Sequence, residues 1–211
     1  VANRPEPGGE IERQLGDPEI AGVAGWTDTP DDEAWTLPRA GDVLRSLDRF
    51  HAVPDVPEWA DSWAEWLYFN GRSANARFYL TFLVGPQDAD GRRRAGVRLQ
   101  LDRKGVVESF SGGARLDASA VANAPELTIA GNTIRLSDMR YDIHLDLRAA
   151  NGDRVSGDLF IDSDRGRQLP PIEIRGARGW RSGYVVPAMS GTLGGSLSLN
   201  GDRVSFDGGS G

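Results

Sequence analysis

Through the second half of the chain, apolar and polar residues alternate with a period of two. From Met139 to Arg148, the residues Met139, Tyr141, Ile143, Leu145 and Leu147 share one side, and Arg140, Asp142, His144, Asp146 and Arg148 share the other. Successive side chains of a strand point to opposite faces, so this spacing predicts a strand with one wet face. Val97, Leu99 and Leu101 alternate with Arg98 and Gln100, DRKG turns the chain, and Val106 to Phe110 returns it as a hairpin. The turn AANGD leads to Val155, Gly157, Leu159 and Ile161, and Leu193 to Leu199, Asn200-Gly201 and Val204 to Phe206 predict another hairpin. Strands that recur about every ten residues without long helices between them favour a closed antiparallel β-barrel, because closure removes unpaired edges. The period lengthens once, where Val43, Leu44, Leu47 and Phe50 predict a short helix over residues 42–50 with Asp42 as its N-cap.

The stretch from Asp61 to Pro86, DSWAEWLYFNGRSANARFYLTFLVGP, carries seven aromatic side chains. Phe78, Leu80, Phe82 and Val84 fill one face of its second strand, and Tyr79 and Leu83 make the other apolar as well, which predicts cover on both sides. The barrel interior supplies one cover; the arm, the helix or a second domain supplies the other. In its first strand, Trp66, Tyr68 and Asn70 share one side and Glu65, Leu67 and Phe69 the other. Rings with polar tips suit a cavity that holds an extended apolar ligand and orients it by one or two hydrogen bonds. The alternative is an ordinary aromatic core whose NH and OH tips find backbone partners.

Residues 1–38 are rich in Pro, Gly, Asp and Glu and read as an irregular arm, tied down by Trp26 and Trp35. The chain therefore divides into an arm with one short helix, residues 1–57, and a barrel, residues 58–211. A length of 211 residues, with 39% apolar residues, 27 glycines and 12 prolines, suits one turn-rich β core with little helix. The formal net charge of −7 and the scattered arginines argue against nucleic acid as a partner. The absence of cysteine excludes disulfides and thiolate chemistry. No apolar run reaches the roughly 20 residues of a membrane helix, so a soluble, cytoplasmic protein is expected. The start at Val1, without methionine, implies an upstream segment that was processed away or left out.

His144 lies between Asp142 and Asp146, but strand spacing spreads the three over roughly 13 Å, and a solvated face is the expectation rather than a metal site. His51 has no evident partner. GGARLDASAVANAP and GTLGGSLSLNG read as loops and strand bends, since neither puts a glycine loop between a strand and a helix. No serine sits in a nucleophile elbow.

The segments EWLYFNGR, FYLTFLVGP and GWRSGYVVPAMSGTLGGSLSLNGDRVSFDGGSG resemble the bacterial carotenoid 1,2-hydratase (hydroxyneurosporene synthase) family and its AttH-like relatives, which include lipocalin-like Diels–Alderases. The similarity spans residues 58–211. Leu67 departs from it, standing where a second tryptophan is often found. The resemblance implies a lipocalin-like barrel, the first of two, with the second on the same chain or another. It also implies an enzyme domain that encloses a large apolar unsaturated substrate, a polyene, isoprenoid or polyketide, for hydration or cyclisation without cofactor or metal. Trp63, Trp66, Tyr68, Phe82 and Tyr141 are then the lining. Glu65, Tyr68 and Asn70 are the candidate chemical groups, with Glu65 as the acid. A carrier of an apolar molecule, and a scaffold barrel that packs on its partner, are the competing readings.

Overall fold

The computed structural model describes residues 39–51 and 57–211. The predicted arm, with Trp26 and Trp35, lies outside the described residues. Residues Ala40–Gly211 form one compact unit.

That unit is an antiparallel ring. In chain order its strands are β1 (Glu65–Arg72), β2 (Ala76–Gln87), β3 (Arg92–Arg103), β4 (Val106–Asp117), β5 (Leu127–Ile129), β6 (Asn132–Ser137), β7 (Arg140–Arg148), β8 (Arg154–Ser163), β9 (Leu169–Arg175), β10 (Arg181–Val186), β11 (Gly191–Leu199), β12 (Asp202–Ser205) and β13 (Gly209–Ser210). The pairing runs β1–β2–β3–β4–β7–β8–β11–β13 and back to β1, which gives the expected all-β, barrel-like fold. Two seams are thin: Ser111 opposite Arg148 alone joins β4 to β7, and the two residues of β13 join β11 to Arg72. β5 and β6 extend the sheet beside β7, and β9 and β10 form a separate hairpin.

Three tight hairpins set the register. Lys104-Gly105, Ala130-Gly131 and Asn200-Gly201 each have both φ angles positive, the two-residue turn whose twist matches that of the flanking strands. The second was not foreseen, and neither were β5 and β6. GGARLD proves to be the end of β4, with only the short helix α2 (Ala118–Val121) and the loop after it outside the sheet. Paired to β3 from Arg92 to Val97, these residues gain ladder bonds that outweigh the cost of glycine in a strand.

Helix α1 (Ala40–Leu47) starts two residues before the predicted one, with Asp42 inside its first turn rather than at the cap. It belongs to the barrel. Leu44 is buried in the core, and Gly41 lies so close to Asp138 that a Cβ would come within 2.7 Å of its backbone. Arg45 donates to both Glu126 oxygens, at 2.5 and 2.6 Å, and to the carbonyl of Leu136.

The interior is filled. Leu67 faces Phe82, Phe69 faces Leu80, and Gly71 faces Phe78 across β1 and β2. Phe78, Leu80 and Phe82 are each 0% exposed. The Phe78 and Phe206 rings meet edge to face at 5.3 Å. Gly71 shows how tight the fit is, since a Cβ there would come within 2.6 Å of Leu193 and 2.7 Å of Phe78. The hydrophobic effect selects this arrangement, with each fully buried Leu or Phe worth about 1.5–3 kcal/mol. The expectation of cover on both faces of β2 is corrected: Tyr79 and Leu83 stand exposed on the outside.

Two substitutions test the packing by urea denaturation. Phe82→Ala is expected to lower the unfolding free energy by about 3–5 kcal/mol, and Gly71→Ala by about 1–3 kcal/mol through overpacking. Near-neutral values for both would mean that the ring has room to spare.

Candidate functional site

The side chains with chemistry gather at two places, the capped rim of the barrel and the outer face of β1–β3. At the rim, the chain leaving α1 crosses the end where β1 and β7 begin. Tyr141, at the start of β7, points inward, meets Phe69 edge to face at 5.1 Å and donates its hydroxyl to Asp48. Burial pushes the Asp48 carboxyl up to about 6, and the Tyr141 hydroxyl only partly offsets this. Burial and the Asp48 charge push the Tyr141 phenol up in turn.

A second carboxyl lies at the same rim. Glu65 is on the inner side of β1, in line with Leu67 and Phe69, and accepts from the His51 backbone N–H at 2.7 Å and faces its Nδ1 at 3.2 Å. Burial raises its pKa, opposed by the two His51 contacts and the Arg93 charge. Trp63 Nε1 donates to the His51 carbonyl at 2.8 Å, and the Arg93 guanidinium stacks 4.3 Å over the Trp63 ring. His51 thus has the partners that the sequence did not reveal. Glu65 pins the chain leaving α1 to the rim, while Asp48, among the described carboxyls, is raised by burial to about 6.

The outer face has a different character. Trp66 lies opposite Leu83, Tyr68 opposite Thr81 and then Arg98, and Asn70 opposite Tyr79 and then Gln100. Trp66, Tyr68, Tyr79 and Leu83 are 40–43% exposed. Tyr68, Tyr79, Thr81, Arg98 and Gln100 line an open hollow of about 310 Å³. The Tyr68 phenol is raised by partial burial and by Tyr79, with a smaller contribution from Tyr184 of β10 and a lowering hydrogen bond with Asn70. The row of Trp66 and Leu83 continues into Gly96 and Gly113, so no side chain rises from the sheet on the β3 side of Leu83.

The sequence-predicted residues therefore divide. Phe82 is core, Tyr141 belongs to the rim with Asp48, and Trp63 and Glu65 meet there through His51. Trp66, Tyr68 and Asn70 sit outside, which corrects their expected place in the lining of the interior. Antiparallel pairing decides this: β1 and β2 must share an inner face, and Leu67 and Phe69 match the apolar run Phe78-Leu80-Phe82 better than rings with polar tips do. Asp48 was missed, although one signal existed. It stands four residues after Leu44, so it continues the buried face of α1. His144 Nδ1 is 2.7 Å from Asp158 across the strands, while Asp142 pairs with Arg140 and Asp146 with Arg154. Comparison with family models, curated proteins and solved structures found no match.

The raised Asp48 carboxyl fixes the sign of a pH effect. Its folded pKa exceeds the unfolded value of 3.8, so the folded state holds the proton more tightly and stability from this group falls as pH rises between about 4 and 6. The loss amounts to about 3 kcal/mol at most. Asp48→Asn keeps an acceptor for Tyr141 but cannot ionise. Thermal melts from pH 4 to 7 should show a flatter decline for the variant and a higher Tm at pH 7, and an unchanged slope would remove Asp48 from the effect.

Proposed function

We propose that the barrel is a rigid support whose outer face on β1–β3 receives a large apolar unsaturated molecule. The observation that carries this reading is the inversion of the aromatic block: Leu67, Phe69, Phe78, Leu80 and Phe82 fill the ring, and Trp66, Tyr68 and Tyr79 are presented outside. Large exposed aromatic patches on a folded domain mark contact sites, because the water over them is released on binding. Trp66, Leu83, Tyr68 and Tyr79 offer stacking surface, and Arg98, Gln100 and the phenols offer donors to a carbonyl or hydroxyl at one end of the guest.

Among the described residues, the lining of this hollow contains no carboxyl group. Hydration of an alkene needs a strong proton donor, whereas cyclisation needs a held shape and hydrogen bonds to a carbonyl. The face therefore favours cyclisation or carriage over hydration. It keeps the substrate class that the family resemblance implies but moves the guest from the interior to the surface. A second barrel, the other implied partner, finds support in the β9–β10 hairpin, where Ile172 and Ile174 are more than half exposed. Such a partner would close the face over its guest.

Retinol, a polyene alcohol, serves as the probe in a tryptophan-quenching titration. Saturable quenching is expected, with the double variant Trp66→Phe, Tyr79→Ala weakening binding about tenfold, as loss of an aromatic anchor does. Phe82→Leu, in the core, should leave the affinity unchanged. Absence of saturable binding, or sensitivity to Phe82→Leu alone, would refute the surface site.

A further inference from the structure

A separate cleft opens between the C-terminal end of α1 and the β5–β6 hairpin. Its volume is about 600 Å³, and its walls include Arg45, Arg49, Arg135, Glu126, Leu127 and Ile134. Ala122, Asn123, Ala124 and Thr128 also line it.

The charges in this cleft do not balance. Arg45 is consumed by Glu126, which takes two of its hydrogen bonds at 2.5 and 2.6 Å, and by the Leu136 carbonyl. Arg49 and Arg135 have no ion pair or hydrogen-bond partner among the described residues. The acidic residue across the ladder from Arg135 is Asp142, and its carboxylate is taken by Arg140 at 2.9 Å. Two guanidinium groups thus face one concavity of a protein whose formal net charge is −7. Leu127 and Ile134 are turned into the core, 3% and 1% exposed, while Arg135 stands on the opposite side of its strand, so the side chains open to the cleft are polar.

A guanidinium presents a planar fork of N–H donors that matches the oxygens of a carboxylate or phosphate, and two forks in one recess give such an anion more than a single surface charge can. We infer that this cleft is a binding site for a small oxyanion, a carboxylate or phosphate monoester, held by Arg49 and Arg135. It is a different site from the aromatic face, with different ligand chemistry, and it does not depend on the function proposed for that face.

Benzoate and phenyl phosphate are the probes, titrated into the full chain at low salt and followed by amide NMR shifts. The expected result is saturable movement of Asn123, Thr128 and Arg135 signals, with Arg135→Gln and Arg49→Gln each weakening the better probe at least tenfold. Both side chains are exposed, so the variants should melt like the parent. If Arg49→Gln alters the fold of α1, Arg135→Gln on the strand still decides the matter. Tighter binding of phenyl phosphate assigns the site to phosphate esters, and tighter binding of benzoate assigns it to carboxylates. Shifts that never saturate, or that persist unchanged in Arg135→Gln, would overturn the site.

Discussion

The packing of Leu67, Phe69 and Gly71 against Phe82, Leu80 and Phe78 determines how the rest of the molecule is used. Three large rings and their aliphatic neighbours occupy the middle of an antiparallel ring, and one inward glycine is needed to make room. Once that space is taken, the side chains suited to a ligand have only the rim and the outer surface left to them. The location of the chemistry follows from a volume constraint, since interiors close to crystal density leave no room for both a core and a guest.

The ring itself is unevenly held. Long ladders join β2, β3 and β4, and β7, β8 and β11, while the seams at β4–β7 and β13 rest on one or two residue pairs. Local reinforcement gathers at the first seam. Asn132, fully buried, donates to the carbonyls of Ile129 and Ala130 and accepts from the Asp146 N–H, so one amide ties the β5–β6 turn to β7. β5 packs against β3 and β4 there and covers apolar surface that a wider ladder would otherwise protect. At the second close approach, between β8 and β11, Gly157 with φ of +150° lies where a Cβ would come within 2.3 Å of the Ser196 carbonyl. Only glycine allows those backbones to meet.

Burial also sorts the acids by function. Asp48 and Glu65 lie at the same rim and are both raised by desolvation, yet Glu65 accepts two bonds from His51 and answers to Arg93, while Asp48 has the Tyr141 hydroxyl. A carboxylate that receives several donors is a structural clasp. One buried against a phenol, as Asp48 is, stays raised to about 6. The outer face contains phenols, an arginine and an amide instead, so the raised carboxyls and the exposed aromatic residues belong to separate parts of the surface.

Much of this architecture was readable along the chain. Period-two alternation is a local property of β geometry, so Val97 to Leu101, Tyr141 to Leu147 and Val155 to Ile161 declared both their strands and their inner faces, and the Asn200-Gly201 and Lys104-Gly105 turns declared two hairpins. The spacing of Leu44 and Leu47 declared α1. What alternation could not decide was the meaning of a strand with apolar residues on both sides: Glu65 to Asn70 offers two chemically plausible inner faces, and only the register against Phe78, Leu80 and Phe82 chose between them. Closure of the ring through Arg148 and Ser210, the meeting of Asp48 with Tyr141 across 93 positions of chain, and the gathering of Arg49 and Arg135 around one cleft belong to the tertiary structure alone. Sequence periodicity records which way a side chain points relative to its own backbone, and contact between distant segments depends on how those backbones pack.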